Sequence, residues 1–498
     1  MIDAAAVPDA TPVVVGAAEV VHRGGDGFVM CAATDLLIET VAEALGRSGE
    51  PSALGSRVGE ILVPHGTWPE SDPGRAVAEA IGAQGARSVR SELGVLQHTL
   101  LARAIGGVAE GRVAAAVVVG GENRWSGVVA AKSGSTVPAP PDLALGEPDE
   151  VITPEEMVIS AIEIERNLTT AAHQYAIIES ALRHRLGRTV EEHQEALGAL
   201  WSRFAAVAAQ APSAWNTDGM DADAIASPSD SNRVIAAPYT KWLISQWNVD
   251  QAAALVVTSA GVARELGIDE SRWVFPLVTA MSNLVVPMPE RDAIDSWPAS
   301  RIAGAAAFEA AGVTAEQVDL VDLYSCFPSA VEVQAAELGL GLDRQLTLTG
   351  GMTFAGGPYN NYSLQGAAAM VTALLARSEP SVGLTSAVSG LLTKPSVTLW
   401  SNRPPAHPYR RIDVADRARS ATTVRPVDPD LTGPVTVVGA TVVPGRDGTL
   451  TTIALVESAA GVRSVVQSTD LATGEWFLAA DPVGHGLMIP VPGEFLLG

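Results

Sequence analysis

The cysteines, histidines and tyrosines of this 498-residue sequence number only two, eight and six, and most of them stand alone. There are two cysteines, Cys31 and Cys326, far apart in sequence, so neither a disulfide framework nor a cysteine zinc site is expected. Cys326 lies in Tyr324-Ser325-Cys326-Phe327, between an apolar run ending at Leu323 and a helical pattern starting at Ala330. A thiol at such a strand-to-helix junction is either a small buried hydrophobe or a nucleophile whose pKa the helix lowers. Cys31 precedes a helix predicted from Thr34 and reads as core. His173, His184 and His193 fall on helical segments without metal-ligand spacing, and His98 sits in an apolar helix. They read as packing or surface residues, with no metal site. Tyr324 and Tyr359 occupy two loops, the second continuing as Asn360-Asn361. A phenol needs a lowered pKa or a strong partner to act near neutral pH; otherwise the two tyrosines simply fill a pocket.

Positioning these groups falls to elements with two different periods. From residue 12 to 121, Val13-Val14-Val15, Glu60 to Val63 and Ala114 to Gly121 read as buried strands, while Thr34 to Leu45 and Leu96 to Ile105 read as helices. From 274 to 400 the alternation returns: Phe275–Val278, Leu320–Leu323, Leu346–Thr349, Val382–Ser386 and Val397–Trp400 read as strands, with helices at Ala305–Ala311, Ala330–Leu338 and Leu364–Arg377. Two copies of one unit suggest a duplication packed about a pseudo-two-fold. The intervening 122–250 is helical in texture. Thr153-Pro154-Glu155-Glu156 and Thr189-Val190-Glu191-Glu192 read as capping boxes, the second leading into Trp201 and Phe204. Trp125, Trp215, Trp242 and Trp247 in this stretch serve either satellite packing or a ligand. Beyond Pro404-Pro405, short alternating strands with turns at Arg446-Asp447-Gly448, Ala460-Gly461 and Thr473-Gly474 predict a small all-β unit. The expected division is 1–121, 122–250, 251–404 and 405–498.

Composition narrows the partners. With 47% hydrophobic and 18% charged residues the chain can bury large cores. A net charge of −24 argues against nucleic acid or an anionic membrane face, and an anionic small ligand would need a local basic pocket. Met1-Ile2-Asp3 opens no signal sequence and no apolar run is long enough to span a membrane, so a cytoplasmic location is expected.

In order, these segments resemble the thiolase superfamily over nearly all of residues 12–400. Gly120-Gly121-Glu122-Asn123-Arg124-Trp125-Ser126 is similar to the turn after the fourth strand, and Asp250 to Leu255 to the re-entry from the thiolase loop domain. Tyr324-Ser325-Cys326-Phe327 falls on the Asn-Glu-Ala-Phe motif, which is His-Asp-Cys-Phe in sterol-carrier-linked thiolases. Gly356-Gly357-Pro358 falls on Gly-His-Pro, and Ala387-Val388-Ser389-Gly390 on the Cys-x-Gly loop that helps form the oxyanion site. The resemblance implies a five-layered α-β-α-β-α fold with two βαβαβαββ halves, a helical loop domain and an extra β-rich C-terminal domain. It also places the nucleophile at Gly94 and the oxyanion histidine at Gly357, so both groups are missing. The whole chain most resembles the mycobacterial type 1 thiolase-like proteins, which lack the catalytic residues and carry an extra C-terminal domain.

The expectation is a CoA- or acyl-CoA-binding thiolase-like protein of lipid metabolism that does not perform cysteine-dependent Claisen chemistry, with no cofactor beyond that ligand. Tyr324, Cys326, Tyr359 and Asn360 are the remaining catalytic candidates. Arg124, Lys132, Arg233 and Lys241 would hold the phosphates, with the pantetheine along Trp247 and Asn248. One alternative is retro-aldol cleavage of a β-hydroxyacyl-CoA, because related retro-aldolases use tyrosines in these loops beside a small β-barrel partner. Another is a binding or scaffold protein without ligand chemistry. Thiolases pair their third strands across a dimer axis; the matching stretch, Ala86 to Glu92, carries Arg87 and Arg90, whose charges would oppose pairing and favour a monomer over a homodimer.

Overall fold

The computed structural model describes residues 7–25 and 27–497; the Met1-Ile2-Asp3 start lies outside the described residues. Strands β1 (Pro12–Val21), β2 (Val58–Pro64), β3 (Arg87–Ser91), β4 (Ala115–Asn123) and β5 (Glu150–Ile152) precede a small hairpin, β6 (Val234–Ala236) with β7 (Tyr239–Thr240), and then β8 (Asp250–Ser259). The first sheet runs β1-β8-β4-β2-β3-β5. A second sheet holds β9 (Phe275–Met281), β10 (Leu320–Asp322), β11 (Val382–Ser389), β12 (Lys394–Ser401) and β13 (Arg410–Asp413), in the order β10-β11-β12-β9-β13. Strand directions repeat between the sheets. β1 is antiparallel to β8, β8 antiparallel to β4 and β4 parallel to β2; likewise β9 is antiparallel to β12, β12 antiparallel to β11 and β11 parallel to β10. The duplicated unit is visible in this shared order.

Between the sheets lie two helices, His98–Ala109 and Tyr362–Leu375, whose Leu101, Ile105, Leu364 and Met370 share one apolar core with Val14, Leu62 and Leu255 of the first sheet. The Ala33–Ser48 helix covers the outer face of the first sheet, and Pro298–Ala311 and Pro328–Leu338 cover that of the second. Strands buried on both faces read as continuous apolar runs, which explains Val13-Val14-Val15 and Val117-Val118-Val119. Helices Ala171–Arg185 and Val190–Ala208 form the bulk of the insert. β14 (Gly433–Pro444), β15 (Leu450–Ser458), β16 (Arg463–Ser468), β17 (Gly486–Val491) and β18 (Glu494–Leu497) close into a barrel that docks on the Ala171–Arg185 helix. There Ala440 N–H donates to Ser180 Oγ at 2.8 Å and Arg183 pairs with Asp481 at 2.9 Å.

Four local expectations are corrected. Leu346–Thr349 is not a strand: one backbone bond, Leu323 N–H to Leu346 O, links it to the sheet, and Asp322 Oδ2 accepts the N–H groups of Leu348 at 2.8 Å and Thr349 at 3.2 Å. A carboxylate has taken over the work of the neighbouring strand. Thr153 caps no helix, because Glu150–Ile152 is drawn into the first sheet and keeps the chain extended; the box that forms is Ser160 with Glu163, while the Thr189 box forms as expected. Thr473-Gly474 lies inside the Leu471–Ala479 helix, since Asp470 accepts Thr473 N–H at 2.8 Å and caps it. β13, placed by sequence in the C-terminal unit, pairs in parallel with β9.

The expected dimer edge is also occupied differently. β5 pairs in parallel with β3, Val89 opposite Glu150 and Ser91 opposite Ile152. Arg87 bonds Glu150 at 3.1 Å and Arg90 bonds Glu92 at 2.7 Å, so the charges that looked repulsive are neutralised within the chain. The edge is closed by the chain's own strand rather than by like charges. Light scattering in physiological salt should therefore give the 51.4 kDa mass of a single chain, and a mass twice that would show pairing by another surface.

Candidate functional site

The two loops that lead into the central helices meet each other. Gln97 Oε1, just before one helix, accepts Ser363 N–H at 2.9 Å and Ser363 Oγ–H at 2.5 Å from the first turn of the other. Beside it His98 is wholly buried, and burial pulls its imidazole down to about 3, so it stays neutral against Thr398 Oγ1 at 3.3 Å. Asn360 Nδ2 donates to His65 O at 2.9 Å and ties the second loop to the end of β2.

In the first loop Gly94 has φ +95°, a conformation that side chains rarely adopt, and a Cβ there would lie 3.4 Å from Pro154. Its carbonyl accepts Ser389 Oγ–H at 2.9 Å and the Lys394 ammonium. Ser389 therefore spends its hydroxyl on the loop, and Gly390 turns beside Val158 and Thr393. Gly357 N–H donates to Gln246 O at 2.7 Å, and a Cβ on it would come within 3.1 Å of Met352 Cε and 3.2 Å of Met352 Cβ. An imidazole at that position would have to displace Met352.

Cys326 and Tyr324 flank the end of β10. Cys326 is buried, with burial pushing its thiol up to about 12, and its carbonyl accepts Ser245 Oγ–H at 2.8 Å. A thiol so raised stays protonated near neutral pH. Tyr324 N–H donates to Ser386 Oγ at 2.9 Å, its carbonyl accepts Gln334 Nε2–H at 2.8 Å, and its ring meets Tyr362 edge-on at 5.8 Å. Burial first, then the neighbouring Cys326 and Tyr359, raises the Tyr324 phenol, so it can donate a hydrogen bond but is a poor base.

From this buried end an aromatic path leads outward. Tyr359 is half-exposed and lies 5.9 Å from Trp247, whose indole carries the Arg124 guanidinium 3.8 Å from its ring centre. Asn248 N–H bonds Gln246 Oε1 at 3.2 Å, steadying the turn after Trp247. Asp250 accepts Ser126 N–H at 3.0 Å and Oγ–H at 2.6 Å, fixing the start of the Arg124–Ser133 helix. Arg124 makes no ion pair among the described residues, its Nε is buried without a partner, and it lines a cavity of about 550 Å³ with Thr67, Trp68 and Pro138. Lys132 lies over Trp125, itself 5.7 Å from Trp215; Lys241 lies over Trp242, which stacks on Phe354 at 6.4 Å. Exposed Arg233 is joined to Lys241 only through its backbone carbonyl. Arg124, Trp247, Tyr359, Tyr324 and Cys326 thus come together; Lys132 and the Arg233–Lys241 pair stand on separate tryptophans.

Several contributors escaped sequence reading. Tyr175, from the insert helix, stacks on Phe327 at 4.5 Å and reaches Cys326. Only its apolar helical spacing was visible, which marks core and nothing more. Lys394, one of three lysines, closes on Gly94 from three hundred residues away. Its one sequence signal was its rarity.

Against solved structures the chain matches the "monomeric SCP2-thiolase like protein type 1" of Mycobacterium smegmatis at TM-score 0.82 and 26% identity, covering 99% of this chain and all of that one. The Ltp2-ChsH2(DUF35) aldolase matches at 0.59 and 18% identity, and the acetyl-CoA acetyltransferase of Syntrophomonas wolfei at 0.56 and 19%; each match covers 79% of this chain, with 98% and 99% of theirs. No sequence-family profile and no curated protein sequence matches. The doubled sheet, the shared helix layer and these matches define a class: the chain belongs to the thiolase superfamily. Within it the chain resembles the type 1 SCP2-thiolase-like protein, C-terminal barrel included. No helix among the described residues is long and apolar enough to cross a membrane.

Three carboxyls, near the ends of β10, β4 and β1, have their pKa values raised by desolvation: Asp322 from 3.8 to about 6, Glu122 from 4.5 to about 7 and Glu19 from 4.5 to about 8. Because the folded state holds these protons more tightly than the unfolded chain, their stabilising contribution is complete below about pH 4 and is lost as pH rises through 6 to 8. The melting temperature should therefore fall between pH 5.5 and 8.5, and Glu122→Gln should flatten that fall without lowering the value at pH 5.5. A melting temperature that rises over this interval would contradict the assignment.

Proposed function

We propose that the chain binds coenzyme A or an acyl-CoA of lipid metabolism and does not perform cysteine-dependent thiolysis or Claisen condensation. The observation that carries this reading is Arg124. It makes no ion pair among the described residues, lines a cavity with Trp68 and Pro138, and stacks on half-exposed Trp247, which neighbours Tyr359. In a chain of net charge −24, a guanidinium without a carboxylate partner is the kind of group that a phosphate ligand would need. Lys132, Arg233 and Lys241 also lack ion-pair partners among the described residues, though they stand apart from Arg124, Lys132 and Lys241 on other tryptophans. The pantetheine would run along Trp247 and Asn248 to the tyrosines. Acyl transfer then lacks its nucleophile, because Gly94 has no side chain, its carbonyl is engaged by Ser389 and Lys394, and the Cys326 thiol is held protonated.

A second reading, retro-aldol cleavage of a β-hydroxyacyl-CoA, draws on the proximity of Tyr324 and Tyr359 at the inner end of that path. Neutral Tyr324 could donate to the thioester oxygen, but the β-hydroxyl proton needs a base that Tyr324 does not supply. The ligand-binding reading is therefore preferred. The covered β3 edge and the likeness to a monomeric protein support a monomer.

Two expectations test this. Acetoacetyl-CoA mixed with CoA should show no thiolysis above background, and thiolysis abolished by Cys326→Ala would overturn the first claim. CoA should raise the melting temperature, with affinity falling as salt is added and dropping about tenfold or more in Arg124→Ala, the loss expected for a hydrogen bond to a charged group. Unchanged affinity in Arg124→Ala would reject the path, and no shift with CoA at all would leave a scaffold without this ligand. Turnover of a β-hydroxyacyl-CoA, lost in Tyr324→Phe, would establish the second reading instead.

A further inference from the structure

Behind Cys326, three helices converge on a buried acidic centre that the proposed ligand path does not use. The Ala171–Arg185 helix supplies Glu179, one turn after Tyr175; Val190–Ala208 supplies His193; and Pro328–Leu338 supplies Glu332, one turn after Ser329. All three side chains are buried, and one ligand atom from each lies within 4.8 Å of the others. Glu179 Oε1 faces His193 Nε2 at 2.8 Å, and its Oε2 accepts the Tyr239 hydroxyl at 2.7 Å. Glu332 is 7% exposed, and its Oε2 is buried with no hydrogen-bond partner. Arg188, a third exposed, lies 3.8 Å from Glu332 Oε1 and 3.4 Å from His193 Nδ1, while Arg183, which also acts on His193, is paired with Asp481 at 2.9 Å.

We propose that Glu179, His193 and Glu332 bind a divalent transition-metal cation that clamps the three helices together behind Cys326. Two carboxylates and one imidazole from separate helices form a donor set suited to zinc or manganese; the imidazole disfavours magnesium and calcium, which prefer all-oxygen shells. The ligand atoms lie within 4.8 Å of one another and would close to the separation of about 3.3 Å that a tetrahedral ion with bonds of about 2.0–2.1 Å requires. Charge fits as well: Glu179 and Glu332 face one guanidinium that is a third exposed, and nearby Arg183 is already paired with Asp481, so a divalent ion offsets the two carboxylates once Arg188 swings into solvent. The unpartnered Glu332 Oε2 supplies a free ligand atom. Tyr239, itself 2.7 Å from Ser329 Oγ, orients Glu179 as outer partners of metal ligands do. A cavity of about 260 Å³ between these helices and the barrel, lined by Glu179, His193, Val442 and Phe477, gives the ion a way in. Sequence spacing alone reads His193 as a packing or surface residue, because its co-ligands lie on other helices.

The test uses the full chain purified from zinc-supplemented medium, then stripped with chelator and titrated with zinc chloride or manganese chloride. The expected result is one equivalent of metal retained through gel filtration and a melting temperature that falls on stripping and recovers with one of the two ions. Glu332→Gln, nearly the same shape, should lose metal content and the metal-dependent shift by about tenfold or more while keeping the stripped protein's melting temperature. His193→Gln should do the same. Absence of bound metal with no shift from either ion, or metal retained fully in Glu332→Gln, would overturn the proposal in favour of a proton shared between the two glutamates.

Discussion

A sheet whose strands are apolar on both faces has to be covered on both, and here the inner faces of two mixed sheets share one layer of two helices. His98–Ala109 and Tyr362–Leu375 are therefore buried from both sides, and the residues ahead of their N-termini have no freedom to drift. The loops that carry Gly94 and Gly357 to Asn361 are those residues. Gln97 and Ser363 lock the two ends together, each bond contributing about 1 kcal/mol net but costing about 1–3 kcal/mol if one partner were left buried and unpaired. The candidate site takes its shape from this junction.

The same economy explains how the second half departs from the first. Where the first sheet gains an added edge strand in β5, the second loses the strand expected at Leu346–Thr349 and gives its amide groups to Asp322. A buried carboxyl that accepts two N–H groups does locally what a ladder would do. Asp322 also accepts the Thr347 hydroxyl at 3.1 Å, and Tyr362 stands 3.4 Å away, so the end of β10 that bears Tyr324 and Cys326 is held by polar contacts rather than by a sheet neighbour.

The barrel and the insert form one body with the second half. Their core is continuous from Ile177 and Trp201 through Phe327 and Leu399 to Leu455. Tyr175 and Glu179 lie on the helix that carries the barrel, so the Cys326 surroundings and the buried Glu179–His193–Glu332 cluster both depend on that docking.

Local periodicity and turn chemistry are short-range properties, and the sequence determined what they govern. The strand–helix alternation of both halves, the Thr189 capping box, the all-β character of the last stretch and the ordered loop motifs were all legible, because each follows from residues a few positions apart. Tertiary structure decided what depends on distant partners. Glu150–Ile152 became a strand only because β3 offered an open edge, and Leu346–Thr349 failed to become one because Asp322 took its amides. The raised pKa of Cys326 comes from its burial in the folded core, and Arg124 has no ion pair among the described residues because no carboxylate comes within bonding distance. The meeting of His193 with Glu179 and Glu332 required three helices to converge, and no spacing along one helix encodes that.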